Sequence, residues 1–424
     1  MRIGAKETTG WQATISVAMS NYIEAGSIIA IAVSLTLWQE HFGVDDFAVG
    51  LLAAISANAF GAAGGALVGG WLCDRYGRKF IYTYDLILYM IGVLIAAGAV
   101  SYWMLLLGFL LTGLAVGAGV PASWTYIAEE APTEERAKHV GTAQLAWSLG
   151  PMVGFALAIL VVPLGLLGSR LIFLHLFVVA FVTWWLRQGL HESVAWTEQK
   201  AAPEGTTRTS GVKDLLTVRR NVTALLFLFG VYGFWNLVAG QAGIFMPRVY
   251  ETAGFASPAG QNALQVLVWG CTALATFFGF MRYADRMNRR NLYVIGAAMG
   301  VAAWALLAYA PSSIGVLLVF AVVWGTSAGI GAQAFYSVWA SELFATRYRA
   351  TAQGLLFFAA RVAVGLLSYV FPTLLATQGV PFVGTLMLVF LLIALVVGAV
   401  WAPDTQGKSL REIERERYGE KVSA

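Results

Sequence analysis

Residues 74–79 read Asp-Arg-Tyr-Gly-Arg-Lys, and residues 285–290 read Asp-Arg-Met-Asn-Arg-Arg. Each stretch is a short charged turn that follows a long apolar run, and both share the pattern Asp-Arg-x-(Gly or Asn)-Arg-basic. Gly and Asn both tolerate positive φ angles, so the same turn geometry is available to both stretches. The repeat indicates that the chain contains two related units.

A second pair of charged residues recurs in the same order. Glu129 is followed seven residues later by Arg136, and Glu342 is followed seven residues later by Arg349. The interval from the Asp that opens each charged turn to this Glu is 55 residues in the first unit and 57 in the second. Two motifs in one order and at nearly one spacing predict a duplicated unit.

The composition places this duplicated unit in a membrane. The chain has 424 residues, of which 58% are hydrophobic and 12% are charged, and its mean hydropathy is +0.71. Soluble domains carry about 25% charged residues, so this much apolar surface must face lipid. A spanning helix needs about 20 apolar residues. Runs of that length predict twelve spans near residues 13–37, 47–71, 80–99, 103–127, 140–164, 169–188, 221–247, 259–282, 291–310, 313–338, 350–376 and 380–401.

The longest polar stretch divides these spans into six and six. We therefore predict an all-α membrane protein made of two pseudo-symmetric six-helix bundles, over residues 1–189 and 221–402. A cytosolic linker over 190–220 joins the bundles, and a cytosolic tail follows over 403–424.

The distribution of Lys and Arg predicts the orientation. If both termini are cytosolic, all but three of the 27 Lys and Arg residues lie in cytosolic segments, the exceptions being Arg170, Arg248 and Arg361. Cytosolic loops are enriched in Lys and Arg. We expect a multi-pass protein of the cell (inner) membrane with both termini in the cytosol. The first apolar run spans a bilayer by itself and shows no cleavage site, so we expect no signal peptide.

The repeated charges favour ion-pair networks. Loop charges that only enforce topology are the alternative, but they would not explain acidic partners at fixed offsets. We expect the networks to tie the two halves together when the cytosolic side is closed. The expected gating groups are Asp74, Arg78, Glu129 and Arg136 in the first half, and Asp285, Arg289, Glu342 and Arg349 in the second.

These motifs together resemble the major facilitator superfamily, and within it the sugar porters. Residues 69–79, Gly-Gly-Trp-Leu-Cys-Asp-Arg-Tyr-Gly-Arg-Lys, resemble the signature that follows the second helix in that superfamily. Residues 126–129 and 341–344 resemble the ends of the fourth and tenth helices of sugar porters. Residues 403–410, Pro-Asp-Thr-Gln-Gly-Lys-Ser-Leu, resemble the sugar-porter element after the last helix. Residues 191–196 match the element after the sixth helix only in part, because two prolines and an arginine are missing.

The resemblance implies a secondary transporter that works by alternating access. It implies that the substrate binds near the middle of the membrane between the two halves. It also implies a small polyhydroxylated solute that commonly moves together with a proton.

Ionisable side chains within spans are costly and therefore suggest function. Glu24 lies about half-way along span 1, and Arg361 lies deep in span 11. A carboxyl group removed from water can load and release a proton near neutral pH, so Glu24 is our candidate proton site. In sugar porters the corresponding acid and its arginine partner fall at Ile23 and Phe109, so that pair is absent here. A pair of Glu24 with Arg361 across the halves is expected instead; two satisfied polar clusters without coupling, or an Arg361 that binds a substrate carboxylate, are the alternatives.

Other polar residues in the spans are weaker candidates. Asp85 is expected to belong to the cytosolic ion-pair network, and a packing role is expected for His175. Cys73 and Cys271 are too few for a disulfide framework and are expected to be free thiols.

Side-chain amides and aromatic rings are the groups expected to recognise hydroxyl groups. Gln144 falls where sugar porters keep a sugar-binding glutamine on the fifth helix. The remaining candidates are displaced from the sugar-porter pattern, and ordinary helix packing is the alternative for each. They are Trp235, Asn236 and Gln241 in span 7 and Gln333, Tyr336 and Trp339 in span 10, with Arg361 as the candidate for a substrate carboxylate.

These observations favour proton-coupled uptake of a sugar or cyclic polyol similar to inositol. A carrier of a small organic anion (a sugar acid or aromatic acid) that uses Arg361 is the second reading, and a drug-type exporter is the third. A transporter-like sensor is disfavoured by the short tail. We expect no enzymatic activity, no metal, no cofactor and no nucleic-acid partner. The expected partners are the small-molecule substrate, protons and the lipid bilayer, and we expect a monomer.

Overall fold

The computed structural model describes residues 10–201, 212–255 and 257–419. Within these ranges it contains eleven helices that are long and apolar enough to cross a membrane. The last of them, Thr346–Trp401, is bent at Gly379, whose φ of 75° breaks the helical backbone. Because the bend makes two crossings out of one long helix, the predicted twelve spans in two six-helix halves are confirmed.

The first half contains spanning helices α1 to α6, each followed by a short connection. Their bounds are Gly10–Ala32 for α1, Asp46–Ile55 and Phe60–Tyr76 for the two segments of α2, Arg78–Ala97 for α3, Tyr102–Glu130 for α4, Arg136–Val161 for α5 and Leu166–Arg187 for α6.

The second half repeats this order with α7 to α12. The bounds are Arg219–Thr252 for α7, Pro258–Tyr283 for α8, Arg289–Tyr309 for α9, Ile314–Ile330 and Ala332–Glu342 for the two segments of α10, and residues 349–378 and 380–401 for α11 and α12.

Short helices flank the spans. Leu35–Phe42 extends α1, Val194–Ala201 and Val212–Thr217 lie in the linker, and Leu410–Tyr418 forms a helix in the tail, which we call the tail helix. The predicted linker and tail also include residues 202–211 and 420–424. Those residues, and the N-terminal residues 1–9, lie outside the described ranges.

Several spans are not continuous α-helices. α2 is interrupted at residues 56–59 and α10 at Gly331. α7 and α8 each contain a π-helical turn, Phe229–Gly233 and Ala275–Phe280. Such irregularities free backbone groups from the helical ladder and are frequent at functional sites in membrane proteins. All of these departures fall near the interface between the halves or within the second half.

The two halves contact each other mainly through α2 with α11 and α5 with α8. Glycines allow the first pair to approach closely. A Cβ atom placed on Gly70 would lie 2.5 Å from the Ala350 carbonyl oxygen, and one on Gly354 would lie 2.3 Å from the Ala66 carbonyl oxygen. We call the end of the bundle that carries the turns 74–79 and 285–290 the charged face. At this end, backbone packs directly on backbone across the halves.

The tight contact at Gly70 generates a prediction. Gly70→Ala should push α2 and α11 apart and separate the halves at the charged face, because overpacking costs about 1–3 kcal/mol in a well-packed interior. Tyr76 and Met287 are exposed residues in the two charged turns. Spin labels at these positions would report the separation by double electron–electron resonance. The labels are introduced into a variant that lacks Cys73 and Cys271.

Gly64→Ala is the matched control on the same helix. Its Cβ would lie 3.5 Å from the Leu114 side chain, which is an ordinary contact. Equal label distances in the Gly70 variant and the wild type would contradict the close contact.

Candidate functional site

A buried ion pair joins the two halves at the centre of the bundle. The Arg361 guanidinium of α11 donates to Glu24 Oε1 of α1. Glu24 is 1% exposed and Arg361 is 2% exposed. The structure therefore brings together the two ionisable residues that the sequence places deep in spans 1 and 11.

The interruption of α2 supplies the second partner of Arg361. Arg361 Nη1 donates to the Asn58 backbone oxygen at 3.2 Å and to its side-chain Oδ1 at 3.4 Å. Residues 56–59 are not helical, so the Asn58 carbonyl is free to accept a side-chain donor. The Phe357 ring lies under the guanidinium, 4.6 Å from its carbon. Asn58 was not among the residues predicted from the sequence, although an asparagine within an apolar span is a signal of this kind.

A small cavity adjoins the ion pair. Arg361, Asn58, Asn236 and the indoles of Trp147 and Trp269 line it, together with apolar residues of α1, α5 and α7. The two indoles come from opposite halves and pack edge to face at 5.1 Å between ring centroids. The cavity offers about 10 Å³, which is room for about one water molecule. The centre of the bundle is therefore tightly closed.

The groups around this cavity include several polar atoms without a hydrogen-bond partner. Buried polar groups are normally satisfied, so such a cluster marks a place where a ligand or water completes the bonding. Donors and acceptors are both represented. The unpartnered donors are Asn58 Nδ2, Trp269 Nε1 and Arg361 Nε, and the unpartnered acceptor is Asn236 Oδ1. The Trp147 indole interacts with the Glu24 carboxylate.

The other predicted amides differ in their surroundings. Gln144 is buried and donates from Nε2 to the Ala328 carbonyl oxygen of the opposite half at 3.3 Å, and its Oε1 has no partner. Gln241 is held by α11 of its own half, since its Nε2 donates to Ser368 Oγ at 3.2 Å. Of the predicted substrate contacts, only Asn236 and Arg361 line the central cavity.

The predicted aromatic residues pack within the second half. Tyr336 stacks on Tyr232 with 4.0 Å between ring centroids, and Trp235 lies beside the same ring at 6.3 Å. Trp339 packs among Phe335 and Phe227 at 5.2 and 5.5 Å. None of these rings lines the small cavity. Gln333 is buried, with an unpartnered Oε1. Substrate contact by these residues stays a prediction.

Trp147 and Trp269 were missed by the sequence analysis. Trp147 lies three residues after Gln144 and therefore on the same face of α5, which is a signal that the spacing could have given. Trp269 has no neighbouring motif to point to it.

The charged residues at the charged face form crossed ion pairs between the halves. Arg136 of the first half donates to Glu342 of the second at 2.9 Å. Arg349 of the second half donates to Glu129 of the first at 2.6 Å. The sequence grouping put each of these arginines with the Glu of its own half. It was wrong on this point, because the connections α4–α5 and α10–α11 face each other across the interface.

The other gating residues complete each cluster. Arg78 contacts Asp74 at 3.2 Å and Glu129 at 2.7 Å, and Arg289 contacts Asp285 at 3.1 Å and Glu342 at 2.9 Å. Each cluster therefore joins two acids and an arginine of one half to an arginine of the opposite half.

The two aspartates also cap helices of the opposite half. The Asp74 carboxylate accepts from the Ala350 and Thr351 amides at the start of α11, at 3.3 and 2.7 Å. The Asp285 carboxylate accepts from the Ala137 and Lys138 amides at the start of α5, at 3.1 and 2.9 Å. A carboxylate is favourable at a helix N-terminus because of the helix dipole. Both caps join the two halves at the charged face.

Asp85 forms a separate cluster within the first half. Its carboxylate lies 3.7 Å from Arg187 of α6. Arg187 in turn donates to the backbone oxygens of Ser16 and Val17 and to Ser20 Oγ of α1, at 2.8 to 3.0 Å. Asp85 thus holds α1, α3 and α6 together and does not join the crossed pairs.

Three further predicted residues have simple surroundings. His175 Nε2 lies 3.1 Å from the Tyr22 hydroxyl. Cys73 and Cys271 are free thiols in the structure. Among the described residues, no group of His, Cys, Asp and Glu is arranged to hold a metal ion.

Two six-helix halves around a closed polar centre define a secondary transporter. The family model of the Major Facilitator Superfamily matches residues 13–367 and 256–424. The chain belongs to the Major Facilitator Superfamily, and it is a multi-pass membrane protein.

Individual relatives agree with this assignment. The chain is 42% identical to the "Minor myo-inositol transporter IolF" of Bacillus subtilis over 412 residues, which cover 96% of this chain and 94% of that protein. It is 27% identical to the "Cis,cis-muconate transport protein" of Acinetobacter baylyi over 78% of this chain and 79% of that protein. The fold is similar to that of the proton:xylose symporter XylE bound to 6-bromo-6-deoxy-D-glucose, with a TM-score of 0.77 at 19% identity, covering 95% of this chain and 98% of that one.

The crossed pairs generate a prediction. Glu342→Gln removes the carboxylate shared by Arg136 and Arg289, so that the buried Arg136 loses its ion pair while Arg289 keeps only Asp285. Breaking a buried pair in this way costs about 3–5 kcal/mol, so the charged face should open. The spin-label distance between Tyr76 and Met287 should lengthen.

Glu135→Gln serves as the control, because Glu135 is partly exposed and its ion pairs are with Lys138 and His139 of its own half. A Glu342→Gln variant with the distance distribution of the wild type would show that the crossed pairs do not hold the face closed.

Proposed function

We propose that this protein takes up a cyclic polyol such as myo-inositol together with protons, by alternating access. The observation that carries the proposal is the cluster of unpartnered donors and acceptors around the central cavity. In this proposal the charged face is cytosolic, both termini lie in the cytosol, and the carrier works as a monomer without chemical conversion of its substrate.

The mixture of donors and acceptors suits a polyol. Each hydroxyl group donates one hydrogen bond and accepts others, so a polyol can satisfy both kinds of unpartnered atom at once. The apolar faces of Trp147 and Trp269 suit the C–H face of a six-membered ring. The similarity to a myo-inositol transporter at 42% identity supports the same substrate class.

The volume of the cavity indicates how the site works. Room for about one water molecule excludes a polyol, so the halves must separate before the substrate enters. Because the crossed pairs and the two helix caps close the charged face, entry requires opening at the opposite end. The substrate would then replace direct contacts between the halves with contacts to itself.

Proton transfer is assigned to Glu24. In the closed structure its carboxylate balances the buried Arg361. A proton arriving from outside would bind a Glu24 carboxylate oxygen, form the neutral acid and remove the charge attraction to Arg361. Release of that proton on the cytosolic side would restore the pair. The pair would therefore respond to the same movement that carries the substrate.

Transport of a small organic anion is the second candidate. The similarity to a cis,cis-muconate transport protein favours it. In the structure, however, Glu24 already neutralises Arg361 and Asn58 occupies another of its donors. A substrate carboxylate could bind Arg361 only after Glu24 takes up a proton. A drug-type exporter, the third reading, has no structural observation in its favour.

A substrate panel in proteoliposomes tests the proposal. Uptake of myo-inositol, glucose, glucuronate and cis,cis-muconate is measured with and without an inward proton gradient. We expect myo-inositol to accumulate only with the gradient, because the cluster offers both donors and acceptors but no free cation. Gradient-driven uptake of an acid without uptake of myo-inositol would replace the polyol by the anion.

Glu24→Gln tests the coupling. We expect this variant to lose gradient-driven accumulation while it retains exchange of labelled for unlabelled substrate, because a neutral amide cannot load a proton. Exchange also shows that the variant is folded. Glu40→Gln changes an exposed carboxyl and should accumulate substrate as the wild type does. Undiminished accumulation by the Glu24 variant would remove Glu24 from the coupling mechanism.

A further inference from the structure

A large cavity lies at the charged face of the second half and shares no lining residue with the central cavity. Its volume is about 800 Å³, and α7, α12 and the tail helix line it. This cavity is far larger than the central one and takes no part in the function proposed above. Its lining residues include Arg219, Arg220, Leu226, Trp401 and Arg417.

Three arginines mark one side of this cavity. Arg219 and Arg220 begin α7 and are exposed, and Arg417 projects from the tail helix. Arg417 Nη2 donates to the Arg220 carbonyl oxygen at 3.1 Å, and its buried Nε has no partner. Among the described carboxylates, none forms an ion pair with these arginines. Glu416 also lines the cavity, but its carboxylate is bound by Lys408 at 2.9 Å.

The other side of the cavity is apolar and open to the membrane. Leu226 is 70% exposed and Trp401 is 62% exposed. Val397 and Phe227 continue this surface towards the core. Exposed apolar residues on spanning helices face lipid chains, and tryptophan favours the boundary between lipid and water. The cavity thus lies where the membrane interface meets a cluster of positive charge.

We propose that this cavity binds an anionic phospholipid. The phosphate would lie among Arg219, Arg220 and Arg417, because one guanidinium group can donate two parallel hydrogen bonds to phosphate oxygens. The acyl chains would lie along Leu226 and Trp401. Basic pockets at the ends of spanning helices favour anionic lipid headgroups over neutral ones.

The bound lipid would connect the tail to the crossed ion pairs. The Tyr418 hydroxyl of the tail helix donates to Asn221 Oδ1 at 2.5 Å and lies 3.3 Å from the Leu343 carbonyl oxygen. Leu343 lines the cavity and directly follows Glu342. A phosphate shared by Arg417 and Arg220 would hold the tail helix against α7 and thereby support the closed charged face.

Native mass spectrometry of the full-length protein tests the site. The purified protein is titrated with phosphatidylglycerol and, separately, with phosphatidylcholine. We expect phosphatidylglycerol to bind preferentially. The Arg219→Gln, Arg220→Gln double variant should weaken its binding about tenfold, since hydrogen bonds between charged groups contribute more than neutral ones.

Two controls keep the result specific. The Arg286→Gln, Arg290→Gln double variant removes the same charge from exposed positions on the same face, outside the cavity, and should bind as the wild type does. Ala224→Phe places bulk inside the cavity without a change of charge and should weaken binding as the arginine variant does.

Three outcomes would overturn the proposal. Equal losses in the two arginine variants would show general attraction to charge. Equal binding of the two lipids would exclude headgroup recognition. Competition by millimolar glycerol 3-phosphate would show a site for soluble phosphate in place of a lipid.

Discussion

The contact between Glu24 and Arg361 is the interaction on which the rest of the structure depends. Either charge alone would be very costly at this depth of the bundle, so each half of the protein needs the other to complete its interior. The pair therefore fixes how α1 and α11 meet. Asn58 accepts a hydrogen bond from the guanidinium and Phe357 packs against it, so that its position is fixed. Any movement that separates the halves at the centre must first supply another partner for one of these charges.

The contacts between the halves are symmetric at the charged face and asymmetric at the centre of the bundle. At the charged face the two halves make equivalent contacts, as pseudo-two-fold symmetry requires, with Arg136 on Glu342 and Arg349 on Glu129. At the centre this symmetry is lost, since Glu24 and Arg361 have no counterparts in the opposite halves. Symmetric ion pairs suit a contact surface to which both halves contribute equally. An asymmetric centre suits a substrate that is itself not symmetric about the interface.

The sequence predicted the architecture well because its signals are local. Apolar run lengths and recurring turns determine the twelve spans and their division, and depth in a span identifies Glu24 and Arg361. The exchange of Arg136 and Arg349 between the clusters was not predicted, because spacing along the chain does not say which half a side chain faces. Asn58 and Trp269 depend on a helix interruption and on contacts between distant helices, which no local pattern records. The ring of Trp339 packs in the interior of its own half, and its contact with substrate stays a prediction.

The tight centre has a consequence for the energy balance of a membrane. Protons move rapidly along continuous files of hydrogen-bonded water, and a carrier that contained such a file would discharge the gradient that drives it. Space for about one water molecule between Trp147, Trp269 and Arg361 interrupts any such file. In its closed form the molecule therefore offers protons no continuous file of water through this cavity.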